Sequence, residues 1–337
     1  MFFMSKEMSE ENFSVKDFFS GTSQTPVSIN PDEFQNNNYE PAGPKTAMVA
    51  IIGRPSSGKS TFLNTAAGEP VSIVSPIPQT TRNAIKGIVN TSFGQLVFVD
   101  TPGYHQSDKK LNLKLQQTAR DQIEAAECVL YVIDSTRECG EEEQLTAELI
   151  KPFASKTVVA INKIDARESK PQNTRAFIKS AIPEIKDERI IEISAKNDSN
   201  INEVLKALYD MAPEAPHLYP EEYYTDQEVG FRIAEVVRGQ AINRLTQEIP
   251  HALYVDIADM EFKNNGKTLW VRAFLCVERD SQKGIVIGKG ASMIKSIRMG
   301  SIKELKNIFD YKVDLDLQVK VVKNWRQRDP ILNKLLN

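Results

Sequence analysis

Cysteine and histidine are scarce in this chain, three of each in 337 residues. Cys128, Cys139 and Cys276 are an odd set with no close pair, so a reducing compartment is expected rather than a disulfide framework. His105, His217 and His251 are scattered, and no spacing among them and the cysteines matches a structural zinc site. Long apolar runs are lacking too. AMVAII at 47–52 and CVLYVI at 128–133 fall far short of the roughly 20 residues that a spanning helix needs. The first residues, MFFMSKEMSEENF, carry acids where a secretion signal places its apolar region, and they lack the arginines of a transit peptide. A cytoplasmic protein is expected.

A strong net charge is also missing: 42 basic against 45 acidic residues give −3, which excludes a basic nucleic-acid coat protein. With 41% hydrophobic and 26% charged residues, the chain reads as soluble and globular, with about 150 residues to a domain and so two domains. The charge is graded, however. Residues 1–46 hold 3 basic and 7 acidic side chains, whereas residues 221–337 hold 19 and 16.

Residues 1–45 show no apolar period and read as a disordered leader. From Thr46 to about 212, short β-branched runs alternate with helical patterns, and the segment from 84 to 100 reads as a hairpin carrying one antiparallel strand. This alternation predicts an α/β domain, a mostly parallel sheet with helices on both faces. Three prolines in 212–222 (Pro213, Pro216 and Pro220) predict a linker over 213–224. Beyond it, 225–330 predicts a small α+β domain in α-β-β-α-β order. Its elements are a helix over about 226–247, two strands about an Asn-Asn-Gly turn, a glycine-containing loop, a helix over about 292–309, and a last strand.

GRPSSGKS at 53–60 fits G-x-x-x-x-G-K-[ST] between a strand and a helix start. Gly53 and Gly58 let the backbone aim N–H groups at phosphate oxygens, with Ser56, Ser57 and Thr61 in the same turn. Lys59 is placed to reach the terminal phosphates and the Ser60 hydroxyl to ligate magnesium. NKID at 162–165 chooses the base. Asn162 and Asp165, with Lys163 between them, end a strand, and a carboxylate that accepts two hydrogen bonds suits the N1–H and 2-amino donors of guanine. Ser194-Ala195-Lys196 ends the next strand and is expected to support the same base. DTPG at 100–103 places Asp100 to hold magnesium through water and the Gly103 N–H to touch the γ-phosphate. Thr81, in the Thr80-Thr81 loop, can complete the magnesium shell. The expected ligands are GTP or GDP with Mg2+, and the expected catalytic set is Lys59, Thr81, Asp100 and Gly103.

The phosphate loop, Thr-Thr-Arg, DTPG, NKxD and SAK together resemble the TrmE–Era group of P-loop GTPases. YPEEYYTDQ at 219–227, the VIG-plus-basic-loop stretch near 286–289 and VKVVKNW at 319–325 resemble the KH domain of its Era family. The resemblance spans about residues 46–330. It implies a GTP-hydrolysing, RNA-binding monomer that acts with the 3′ end of small-subunit ribosomal RNA in maturation of the small ribosomal subunit. It also implies peripheral contact with the inner face of the cell membrane. Two other readings stay open: an RNA-binding scaffold with a nearly inactive site, and a related GTPase that acts on transfer RNA or membranes.

Two positions, Ser56 and Ala291, depart from the family pattern, and a third, Tyr104, departs from signalling GTPases in a way the resemblance implies is normal for the family. Ser56 stands where the group usually has an Asn associated with potassium-assisted hydrolysis, so potassium dependence is not expected. Tyr104 stands where signalling GTPases place a water-orienting Gln; such missing help is worth about 10³–10⁵ in rate, and slow turnover follows. Gly288-Lys289-Gly290-Ala291 is the GXXG-type loop expected to clamp RNA, together with Lys295, and Ala291 replaces its second glycine. At the start of a right-handed helix Ala291 is expected to be unstrained. From Ile285 to Arg326 nine basic residues face four acidic ones.

Overall fold

The protein is described here by a computed structural model that covers residues 44–75, 85–100, 110–246 and 248–336. The leader up to residue 43, Thr80, Thr81, Gly103 and Tyr104 lie outside the described residues.

The β-branched runs form β1 (Lys45–Ile52), β2 (Ile85–Thr91), β3 (Gly94–Asp100), β4 (Cys128–Asp134), β5 (Thr157–Asn162) and β6 (Ile190–Glu192). They make one sheet in the order β2-β3-β1-β4-β5-β6, parallel except for the β2–β3 hairpin. Every residue of β3, β4 and β5 is buried, as a sheet covered on both faces requires. On one face lie α1 (Lys59–Ala67) and α5 (Ile201–Met211), packed through Phe62, Leu63, Val204 and Leu208. On the other lie α2 (Lys110–Ala125), α3 (Glu141–Ile150) and α4 (Pro171–Ala181), packed through Ile123, Ile150 and Ile178. Because β1, β3, β4 and β5 run parallel, their carboxyl ends deliver the loops that carry the motifs to one edge of the sheet.

The second unit contains α6 (Val229–Ile242), α7 (Ile249–Ala252), β7 (Tyr254–Lys263), β8 (Thr268–Val277), α8 (Asp280–Ile287), α9 (Ser292–Ile308), β9 (Lys312–Val321) and α10 (Asp329–Leu336). Its sheet runs β7-β8-β9, with β8 and β9 parallel and joined through α8 and α9. Val271, Leu275 and Leu315 on the sheet meet Ile233, Val237, Ile297 and Leu305 on the helices. The expected helix over 226–247 is shorter. It stops at Ile242, and Pro250 sits in the first turn of the separate α7, the helical position that tolerates proline. The stretch expected as a glycine-containing loop holds α8, whose start is fixed by the buried Gln282 accepting the N–H groups of Glu278 (3.0 Å) and Arg279 (3.1 Å). The α10 helix was not expected either. It covers part of the outer sheet face, where Leu332 packs with Trp325, Tyr254 and Cys276.

The segment after α5 binds the first unit along its edge. The Thr46 N–H donates to the Pro213 carbonyl (3.1 Å), Gln95 to that of Tyr219 (2.8 Å), and the Ile88 N–H to that of Tyr224 (2.9 Å). The joint continues into α6. Gln227 donates to the Val71 carbonyl (2.9 Å), and Arg232 lies over the Tyr224 ring and donates to the Pro70 carbonyl (3.3 Å).

Candidate nucleotide site and RNA loop

The phosphate loop follows β1, and side chains hold its carbonyls, those of Pro55, Ser56 and Ser57 from outside the loop. Lys59 Nζ donates to the Gly53 and Arg54 carbonyls (3.1 Å each), Arg137 to that of Pro55 (3.4 Å), Lys163 to that of Ser56 (2.8 Å) and Asn162 to that of Ser57 (2.9 Å). In a trans peptide the N–H points opposite the C=O, so the Pro55, Ser56 and Ser57 carbonyls, held from outside, turn the amides that follow them toward the hollow. Gly58 caps α1 at φ 101°, and a Cβ there would lie 2.1 Å from Asn162 Nδ2. No side chain caps α1, which leaves its first amides for an anion. The Ser56 and Ser57 hydroxyls are buried without a hydrogen-bond partner among the described residues, as suits a cradle for phosphate oxygens.

Lys59 is buried in this turn. Burial pushes its pKa down, and the Asp100 and Glu143 carboxylates pull it back up. The Ser60 hydroxyl donates to Asp100 Oδ2 at 2.6 Å, and the Ser72 hydroxyl donates to the same oxygen at 2.9 Å. Asp100 is fully buried at the end of β3. Side by side, Ser60 and Asp100 offer hard oxygen donors only, which fits a magnesium ion. Thr61 is half-buried in the first turn of α1.

On the base side, Asn162 joins the two halves of the site. Its Nδ2 holds the Ser57 carbonyl, and its Oδ1 accepts the Ala195 N–H at 3.0 Å. Asp165 is exposed and accepts the Ser194 hydroxyl at 2.6 Å, while the Ala195 carbonyl accepts Thr65 Oγ1 at 2.7 Å. Lys196 is exposed beside them. The geometry therefore brings together the phosphate-loop, NKID and SAK residues named from the sequence. It also adds three that the motifs do not contain, Asp134, Ser72 and Glu143, and draws in Arg54, a variable position of the phosphate loop. Asp134 ends β4 opposite Asn162 and holds Lys163 Nζ at 2.6 Å, a pairing made by strand register rather than by sequence proximity. Arg54 and Glu143 meet under the loop, and nothing in their local sequence pairs them.

In the second unit, Gly288 ends α8 at φ 73°, where a Cβ would meet Met293 at 2.9 Å. The expectation for Ala291 is overturned. Gly290 (φ 60°, ψ 27°) and Ala291 (φ 61°, ψ 25°) are both left-handed, and the right-handed helix begins only at Ser292. Alanine bears a steric cost there because the turn into α9 needs a positive φ one residue later than expected. Lys289 and Lys295 are exposed at this turn. Arg298 and Arg326, also counted as basic candidates, are tied down instead: Arg298 donates to the Leu315 carbonyl, and Arg326 pairs with Glu278.

Residues 48–163 match the family described as 50S ribosome-binding GTPase, and residues 248–326 match the KH domain family. The GTPase Era of Treponema denticola is 59% identical over 290 residues, covering 86% of this chain and 99% of the relative. The GTPase Era of Borreliella burgdorferi is 45% identical over 293 residues, covering 87% and 100%. Among solved structures, an Aquifex aeolicus Era variant bound to GDP and AlF4− matches with a TM-score of 0.81 and 32% identity over 87% of this chain and 99% of that one. An Era in complex with MgGDPNP and nucleotides 1506–1542 of 16S ribosomal RNA gives the same values.

Proposed function

The chain belongs to the Era family of GTPases, and from that premise we propose that it is a GTP-hydrolysing switch whose KH domain binds the 3′ end of small-subunit ribosomal RNA during maturation of that subunit. GTP is converted with water to GDP and phosphate, with Mg2+ as cofactor. The observation that carries the reading is Asn162, which locks the phosphate loop to the base-side loop in a chain that also holds a KH loop.

In this reading the loop amides and Lys59 bind and orient the β- and γ-phosphates, and the buried site keeps bulk water off the loop. Asp165, oriented by Ser194, accepts the guanine N1–H and 2-amino hydrogens. Ser60 and Asp100, with Thr81 from the neighbouring loop, would hold the magnesium ion. When bound, the ion neutralises charge that develops on the phosphate oxygens. Gly103 contacts the γ-phosphate. Gly288, Lys289, Gly290, Ala291 and Lys295 meet the sugar-phosphate chain of the RNA. Among the described residues no helix is long and apolar enough to cross a membrane. The protein works in the cytoplasm as a monomer on the subunit, with peripheral contact at the inner face of the membrane as a finer part of the reading.

Single-turnover GTP hydrolysis, followed with and without small ribosomal subunits, tests the proposal. Slow hydrolysis alone and faster hydrolysis with subunits is the expected result. No hydrolysis under either condition would leave an RNA-binding scaffold in its place.

A further inference from the structure

Arg54 is held at both ends. Its carbonyl accepts Lys59 Nζ (3.1 Å) and the Ser57 N–H (3.2 Å), so its backbone shapes the start of the phosphate loop. Its guanidinium runs away from the hollow to the first turn of α3. There Nε and NH2 meet Glu142 Oε2 (3.1 and 2.9 Å), and NH1 meets Glu143 Oε2 and the Glu138 carbonyl (3.3 Å each). Glu142 is an exposed partner, whereas Glu143 is 1% exposed. The other oxygen of Glu143, Oε1, accepts the Tyr131 hydroxyl at 2.6 Å, and Tyr131 is fully buried on β4.

A carboxylate whose only task was to favour a helix N-terminus would sit in water, as Glu141 does. Burying a charge is costly unless it is paired and hydrogen-bonded, and Glu143 has both kinds of partner. Burial pushes its carboxyl pKa up, and the Tyr131 hydroxyl and the Arg54 guanidinium pull it back. The rigid fork of arginine can meet two carboxylates and a carbonyl at once, which the single ammonium of lysine cannot do with the same geometry.

We propose that Tyr131, Glu143 and Arg54 form a brace that positions the phosphate loop, with Glu143 acting as a positioning residue through Arg54. Tyr131 fixes the carboxylate from the central strand, the carboxylate fixes the guanidinium, and the Arg54 backbone passes that position to Lys59 and the loop amides. The brace rests on the GTP-site reading above. It predicts that the energy of binding the terminal phosphates, rather than that of the base, depends on residues that touch no ligand.

The test compares GDP with GMP, which share the base and sugar but differ by the outer phosphate. Affinities for both are measured by calorimetry on the full chain and on Arg54→Ala, Arg54→Lys, Glu143→Gln and Tyr131→Phe, with circular dichroism and melting to follow folding. In Arg54→Ala and Glu143→Gln, GDP affinity is expected to fall about tenfold while GMP affinity changes less than about twofold. Arg54→Lys recovers part of the loss. Tyr131→Phe, which deletes one hydroxyl and keeps the core ring, shows a smaller loss of the same kind and keeps the test open should Glu143→Gln fold poorly. An unchanged GDP-to-GMP ratio in all variants, with only the melting temperature lowered, would overturn the brace and leave the cluster as plain packing. A parent protein that binds no guanine nucleotide would overturn the GTP-site reading and the brace with it, a result distinct from the unchanged ratio.

Discussion

Asp165 sits where, in the proposed reading, a single atom decides the nucleotide. Its carboxylate accepts the Ser194 hydroxyl at 2.6 Å and is otherwise exposed at the rim of the base side. Asp165→Asn turns one acceptor into a donor, which clashes with the guanine edge and suits xanthine, whose 2-position is an acceptor. Sites built on such hydrogen bonds discriminate by up to about 10⁴–10⁵. The variant is expected to lose GTP and prefer xanthosine triphosphate in competitive binding; an unchanged GTP preference would contradict the role. Ser56 makes a second prediction. Its backbone is left-handed, at φ 64°, and its short hydroxyl is buried in the loop, lacking the reach of an amide oxygen. Exchange of potassium for sodium is expected to change hydrolysis by less than about twofold, since an interaction worth about 1.4 kcal/mol is needed for tenfold. A many-fold potassium stimulation would reject it. Residues within fixed motif spacing, such as Lys59, Asn162 and Asp165, were legible in the sequence because each motif is local. Asp134 and Glu143 were not, because strand register and helix packing bring them to Lys163 and Arg54 from distant segments.

The α8–α9 turn carries the RNA prediction at the level of elements. Ala291 in the left-handed region costs about 1–2 kcal/mol relative to glycine. Glycine gives back about 0.4–1 kcal/mol through its freer unfolded chain, so Ala291→Gly is expected to stabilise the KH domain by about 0–1.6 kcal/mol. The loop has its shape with either residue, so RNA affinity should tighten by less than about tenfold. Replacing Lys289 and Gly290 together by aspartates should abolish RNA binding at fixed salt through repulsion of phosphate. Gly290 is open, with no atom within 4 Å of the point where a Cβ would stand, and aspartate tolerates a positive φ, so folding should survive the double change. RNA binding equal to the parent's would remove this loop as the clamp. Strand–helix alternation made the first sheet legible, and the Asn-Asn-Gly turn marked the β7–β8 hairpin. The α8 helix was not legible because Gly284 within it and Gly288 and Gly290 after it read as loop, while tertiary burial of Gln282 and Val286 holds it helical. The α10 helix escaped because its reason to form is the sheet face it covers, around Trp325.

In the whole molecule, one short segment lies between the two ligand sites. The Ser72 hydroxyl touches Asp100, the proposed magnesium residue, while the carbonyls of Pro70 and Val71 accept Arg232 of the helix α6 and Gln227 just before it, and Ile73 faces Gly239. A change at Asp100 therefore has a direct packed route to the KH domain. That two-domain design, a GTP site wired to an RNA-binding domain, is the central claim, and the identity of the RNA tests it most directly. The measurement is ultraviolet crosslinking of the full chain, loaded with a GTP analogue in cell extract, followed by sequencing of the bound RNA. Reads concentrated at the 3′ end of small-subunit ribosomal RNA, and lost in the double-aspartate variant, are the predicted result. Reads dominated by transfer RNA, or an unchanged profile in that variant, would contradict it.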